Sequence, residues 1–186
     1  YLKEVERICF EINRAHIESL VDHLAALRDQ GGRLFIAGLG GSAANASHAA
    51  NDFRKLCDIE AWCLSDNTAE LTAIANDVGW SSIYSDALYA SKVTRDDVLL
   101  VLSVGGGTQE VSQPLVKAID YARNMKMMIL GIVGRDGGYT KQHALCCVVI
   151  PDVSDSRVTP HTEEFQSIVL HCLVSHPKLQ RNKTKW

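Results

Sequence analysis

The sequence contains no apolar run of the ~18 residues that a membrane-spanning helix requires, so no spanning segment is expected. Positive charge is not in excess: 19 Lys and Arg against 22 Asp and Glu leave a net charge of −3. A nucleic-acid binder would ordinarily carry a basic face, so nucleic acid is not expected as a partner. There is no Walker A sequence, which disfavours a nucleoside-triphosphate hydrolase. No secretory signal is visible, although the chain opens on Tyr1. The six cysteines (Cys9, Cys57, Cys63, Cys146, Cys147 and Cys172) form no CxxC pair. Disulfide frameworks belong to short secreted chains, so reduced core thiols in a cytoplasmic protein are the expectation. What remains is an ordinary globular composition, 46% hydrophobic and 22% charged over 186 residues. That is enough for one domain with a sizeable core.

Apolar residues set the elements. Ile8, Ile12, Ile17, Leu20, Leu24 and Leu27 recur every three to five positions and predict one long helix over 1–30. Short apolar runs predict strands over 33–38, 61–65, 97–103, 127–134 and 146–150. Helices are expected between them over 43–57, 68–77 and 108–125, with a closing helix over 162–176. Thr159 or Thr162 would cap that last helix, with Pro160 near its first turn. Strands that are continuously apolar and alternate with helices imply a parallel sheet covered on both faces. The fold expected is a five-stranded, doubly wound α/β sheet over 1–176, followed by a polar, basic, solvated tail over 177–186. Such sheets bind ligands beyond the carboxyl ends of their strands, so the loops after residues 38, 65, 103 and 134 carry the most interest.

Two of those loops resemble each other. "FIAGLGGSAANAS" and "LVLSVGGGTQEVS" each place glycines and a hydroxyl between a strand's end and a helix's start. Free backbone N–H groups and the helix dipole there favour an anion. Ser42, Ser103 and Thr108 are therefore expected to line one anion site. A rival reading takes "GLGGSA" as a GxGxxA dinucleotide turn with Asp66 as its acidic partner. That reading leaves the second glycine loop unexplained.

His48 and Asp52 lie at i and i+4 on one helical face. Glu163 and His171 are eight residues apart, about two turns plus 80°, on neighbouring stripes. Two imidazoles and two carboxylates suit a divalent metal or a general acid and base. The competing expectation is an exposed His48 and a satisfied core His171. His16, His23, His143, His161 and His176 show no comparable pairing and are read as structural.

These motifs, in this order, resemble the sugar isomerase (SIS) domain family, of the phosphoheptose isomerase type, over about residues 5–176. The family's GNGGS appears as "GLGGS" and its HxxxE as "HAAND", His48 to Asp52. Its SNDFG appears as "ANDVG" (75–79), its STSGNS as "SVGGGT" (103–108) and its GKDGG as "GRDGG" (134–138). Its closing Gln and His correspond to Glu163 and His171. The resemblance implies a phosphosugar aldose–ketose isomerase, most like one converting sedoheptulose 7-phosphate to glycero-manno-heptose 7-phosphate, commonly a homotetramer with zinc in the site. It places the base at Asp52 and the acid at His171, and the metal set at His48, Asp52, Glu163 and His171. Ser103, Val104, Gly105 and Thr108 match the phosphate loop. Leu39, Gly40, Gly41, Ser42, Asn76, Asp77 and Glu163 match other substrate-contacting positions. The chain departs from the pattern at Leu39 (for Asn), Asp52 (for Glu), Val104 and Gly105 (for hydroxyl residues) and Glu163 (for Gln). The alternative from the same resemblance is a non-catalytic phosphosugar-binding or DnaA-associating regulator.

Overall fold

A computed structural model describes residues 1–183, and residues 184–186 of the expected tail lie outside the described residues. Five strands form the sheet: β1 (Leu34–Gly38), β2 (Ala61–Cys63), β3 (Val98–Ser103), β4 (Met128–Val133) and β5 (Cys146–Val149). Their order is β2-β1-β3-β4-β5, and every neighbouring pair is parallel. The expected doubly wound α/β sheet is the fold observed. β2 is shorter than the 61–65 expected.

Alternate strand residues feed two apolar layers, as the two-residue period of a strand requires. Leu34, Ile36, Leu100 and Leu102 pack with α1 (Leu2–Glu11), α2 (Arg14–Asp29), α3 (Gly41–Cys57) and α8 (Val158–Val174). Phe35, Ala37, Leu99 and Val101 pack on the other face with α5 (Ile83–Ala90) and α6 (Gln113–Asn124), and with residues of α4 (Thr68–Asp77) and α7 (Gly138–His143) at the layer's margin. On the first face, Ala46, Ala49 and Ala50 of α3 are buried beside Phe165 and Val169 of α8. Small residues on α3 leave room for α8 to lie close. Fully burying Phe53 and Phe165 contributes about 2 kcal/mol each.

The structure corrects several expectations. The helix over 1–30 is broken at Ile12, which is extended, and Asn13 caps the second half by accepting the Ala15 N–H at 3.0 Å. Apolar spacing alone does not register such a break. The 108–125 helix begins only at Gln113, because residues 108–112 turn back on themselves through Thr108. α8 starts four residues early, at Val158, and neither Thr159 nor Thr162 caps it by a side-chain hydrogen bond. α5 and α7 were not foreseen. α5 matters for the site, since the hydroxyl of buried Tyr84 donates to the Gly38 carbonyl at the end of β1. Burial pushes the Tyr84 phenol up to about 12, which keeps it a donor.

Over its described part the tail is mostly exposed, as expected, but it is anchored to the fold. Leu179 is fully buried, Arg28 donates to the carbonyls of Lys178 and Leu179, and the Arg181 and Asn182 amides donate to Leu56. Cys57, Cys146 and Cys147 are core residues as expected, but Cys9 and Cys172 are exposed. Both sit on helices whose outer faces remain uncovered in the single chain.

Candidate active site

The chain order of the sheet reverses between β1 and β3, and ligands of doubly wound folds bind at that switch point. Here the two glycine loops flank it. They enclose an open cleft of about 600 Å³ lined by Leu39, Ser42, Ser103, Val104, Gly105 and Thr108. Gly107, Val111, Ser112, Arg135, Asp136 and Thr159 complete the lining. The three hydroxyl residues expected to share one anion site thus face one cleft.

Each loop is held by specific contacts. Gly40, at φ +61°, turns β1 into α3. Gly41 and Ser42 then present the first amides of a 17-residue helix, the end that favours negative charge. Ser42 is 1% exposed, and its Oγ has no hydrogen-bond partner among the described residues. A buried hydroxyl without a partner carries a cost of about 1–3 kcal/mol. A ligand oxygen in the cleft would remove that cost. In the second loop, Ser103 Oγ accepts the Gly106 N–H at 3.0 Å. Thr108 Oγ1 accepts the Glu110 and Val111 amides at 3.2 and 3.0 Å. The amides of Gly105 and Gly107 make no hydrogen bond among the described residues.

"GRDGG" acts as a brace for that loop. The Tyr139 and Thr140 amides donate to the carbonyls of Gly107 and Gly106, both at 2.9 Å, and Thr140 Oγ1 donates to Gly106 at 2.7 Å. The backbones approach so closely that a Cβ on Gly106 would stand 1.9 Å from the Gly137 carbonyl oxygen.

Beside the cleft, α3 and α8 bring His48, Asp52 and His171 together. His48 Nε2 lies 3.0 Å from Asp52 Oδ2, and His171 Nε2 lies 3.9 Å from the same oxygen. The two imidazoles meet edge to face with centroids 5.3 Å apart. One ligand atom from each residue lies within 4.8 Å of the other two. Asp52 is largely covered, and the Asn51 amide donates to its other oxygen at 3.2 Å. His48 and His171 are both exposed, so His171 is not the core histidine that its apolar neighbours suggested.

Glu163 does not join this group. It lies eight residues before His171, about 12 Å along the helix at 1.5 Å per residue. Its carboxylate rests on Gly41, 2.4–2.7 Å from where a Cβ would be. The amino end of α3 gives that negative charge a favourable place. The expected set of four converging ligands is therefore a set of three, with Glu163 placed instead against Gly41 at the amino end of α3. Asn76 and Asp77 are not brought to the cleft either. They end α4, where the Asn76 amide donates to Asp77 Oδ1 at 2.7 Å. Asp66, the acid that a dinucleotide turn would need, lines a different hollow with Arg33 and Trp62.

Six lining residues are not among the site residues expected from the sequence: Gly107, Val111, Ser112, Arg135, Asp136 and Thr159. Thr159, which the sequence suggests as a cap, lines the cleft instead. Arg135 stands in a loop already singled out, but its motif gave no sign that the arginine, rather than the glycines, faces the cleft.

Chemically, the cleft offers amides and hydroxyls for an anion. The neighbouring group offers a carboxylate between two imidazoles, suited to moving protons or holding a cation.

The SIS domain model matches residues 1–134. The chain is 34% identical over 164 residues to the phosphoheptose isomerase of Helicobacter hepaticus, spanning 84% of this chain and 78% of that one. It is 35% identical over 164 residues to the phosphoheptose isomerase of Trichlorobacter lovleyi, spanning 86% and 79%. Among solved structures, phosphoheptose isomerase GmhA from Neisseria gonorrhoeae superposes with a TM-score of 0.81 over 93% of both chains at 24% identity. That last likeness shows the fold.

Proposed function

The chain belongs to the SIS domain family, and from this we propose that it is a phosphosugar aldose–ketose isomerase. Its substrate in this reading is a heptose phosphate: sedoheptulose 7-phosphate, converted to glycero-manno-heptose 7-phosphate. The observation that carries the reading is the meeting of His48, Asp52 and His171 on two helices far apart in sequence, beside a cleft built for an anion. A regulator that only bound a phosphosugar would need no acid and no base.

The substrate phosphate takes the amides and hydroxyls around Ser42, Ser103 and Thr108. Six helix residues from Ser42 to His48 rise roughly 9 Å, a distance that suits a sugar phosphate with its phosphate at one end and its reacting carbons at the other. Asp52 removes the proton from carbon 1 of the ketose, and His171 gives a proton to the carbonyl oxygen at carbon 2. The enediol so formed takes a proton at carbon 2 from Asp52, while His171 recovers a proton from the carbon 1 hydroxyl, which becomes the aldehyde. Two imidazoles and one carboxylate are a donor set that zinc accepts with a fourth position open. His48, Asp52 and His171 would hold it, and it would supply polarisation of the substrate carbonyl.

A homotetramer belongs to the same reading. Leu2 and Phe10 of α1 and Ile168 of α8 are exposed, more apolar surface than a single chain ordinarily leaves open. The exposed imidazoles of His48 and His171 would then lie near a subunit boundary. Light scattering at micromolar concentration should give four times the chain mass; a monomer contradicts it. A cytoplasmic location also fits, since a charged sugar phosphate does not cross a bilayer unaided, and no helix of the described residues is long and apolar enough to cross one.

The test is a screen of sugar phosphates for isomerisation, with metal analysis of chelator-free protein. Turnover of a heptose phosphate is expected, and its absence with every phosphosugar overturns the reading.

A further inference from the structure

Two of the hydroxyl positions that the family pattern places in the phosphate loop are Val104 and Gly105 here. An anion in this cleft therefore meets fewer side-chain donors from that loop than the pattern provides. Arg135 lies where the deficit is. The Cδ of its side chain stands 3.7 Å from the point at which a Cβ on Gly105 would sit. The stem thus runs over Gly105, into the space that a larger residue there would claim.

Arg135 is the one cationic side chain among the described residues that line the cleft. It makes no hydrogen bond, ion pair or ring contact among the described residues, and it is exposed. Its neighbour Asp136 also lines the cleft, but that carboxylate accepts the Gly138 N–H at 3.1 Å and closes its own turn. Arg135 adopts φ +50°, a left-handed backbone that a long side chain rarely takes. The braced loop imposes it: Gly134 donates to the carbonyls of Ser103 and Val104, both at 3.1 Å. Across the same cleft stands the buried, unpartnered Ser42 hydroxyl.

Resting on the isomerase reading for its substrate, we propose that Arg135, where the family pattern has a lysine, binds the substrate phosphate beside Val104 and Gly105, which offer it no hydroxyl. A planar guanidinium can give two parallel N–H bonds to a phosphate. Arg135 is thus a specificity residue for the phosphorylated end of the sugar, distinct from the proton-transfer group at Asp52.

The variant of choice is Arg135→Gly, because glycine takes φ +50° freely and the loop keeps its shape. Inorganic phosphate is the probe that needs no turnover, with binding read by calorimetry. The Kd for phosphate should rise about 10- to 100-fold in Arg135→Gly, the range of a lost charge-assisted hydrogen bond. Arg135→Lys should fall between the two. With the sugar phosphate, KM should rise by a similar factor while kcat changes much less. Unchanged phosphate affinity in Arg135→Gly, in protein with a wild-type circular dichroism spectrum, overturns the proposal whether or not the enzyme turns over. Arg135-dependent phosphate binding without isomerisation of any phosphosugar upholds the proposal and overturns the isomerase reading instead.

Discussion

At the scale of the residue, the site consists of groups left without partners and groups brought together. Ser42 is the clearest of the first kind, and it gives a test in which fold and function move oppositely. Ser42→Ala removes a buried hydroxyl that no group among the described residues satisfies. The melting temperature should hold or rise, while KM for the sugar phosphate rises about tenfold, the value of one hydrogen bond to a charged group. A lower melting temperature with unchanged KM would mean that the hydroxyl serves the fold. The residues that could be read from sequence were those with a spacing rule behind them. His48 and Asp52 share a face because four residues nearly complete a turn, and the hydroxyls of both glycine loops follow strand ends. Glu163 is kept from the group by the eight-residue rise of about 12 Å that separates it from His171; lying on a neighbouring stripe does not by itself bring two side chains together. Where a carboxylate rests depends on the facing helix, here Gly41. Arg135 could not be found by such rules, since its aim comes from a left-handed backbone imposed by contacts between two loops.

At the scale of the element, apolar runs located all five strands, because buried parallel strands need apolar residues on both faces. α5 and α7 were missed for the converse reason: each is short and packs only part of one face, so its apolar period is brief. The break at Asn13 was hidden by apolar residues that continue on both sides of it. The loop pair after β3 and β4 is the element on which the cleft depends. Gly106→Ala would press a Cβ into the Gly137 carbonyl and force a side chain to φ +70°. The melting temperature should fall by about 5 °C or more, and phosphate binding should weaken with it. A variant as stable as the wild type, with phosphate affinity intact, would show that the two loops are not held by this contact.

At the scale of the whole molecule, the first helix is tied to the last by an ionic latch. Arg157 donates to both Glu4 oxygens at 2.6 and 2.8 Å, and His161 Nε2 lies 2.8 Å from one of them. The Arg157 guanidinium and then the His161 imidazole, by hydrogen bonding, hold the Glu4 carboxyl down from 4.5 to about 2. A depressed carboxyl stabilises the fold fully above its unfolded value and loses that contribution as pH falls towards its folded value. Between about pH 4.5 and 2, α1 should therefore loosen, with faster amide exchange over residues 2–11. Glu4→Gln should show the looser α1 already at neutral pH and little further change on acidification. Wild-type exchange that stays constant across that window would remove the latch from the account. The helix faces that hold the chain together, and those left exposed in the single chain, were both legible as apolar stripes. Which stripe faces inward was not, because the sequence alone does not show the break that lets α1 fold across α8.

For the molecule as a catalyst, the most direct measurement is isomerisation of sedoheptulose 7-phosphate in deuterium oxide, followed by proton NMR. Proton transfer through Asp52 and an enediol predicts an aldose heptose 7-phosphate with deuterium at carbon 2. In Asp52→Asn the rate of its formation should fall by about a thousandfold, the scale of a general-base contribution. No aldose product, or product formed at the wild-type rate by Asp52→Asn, would contradict the account.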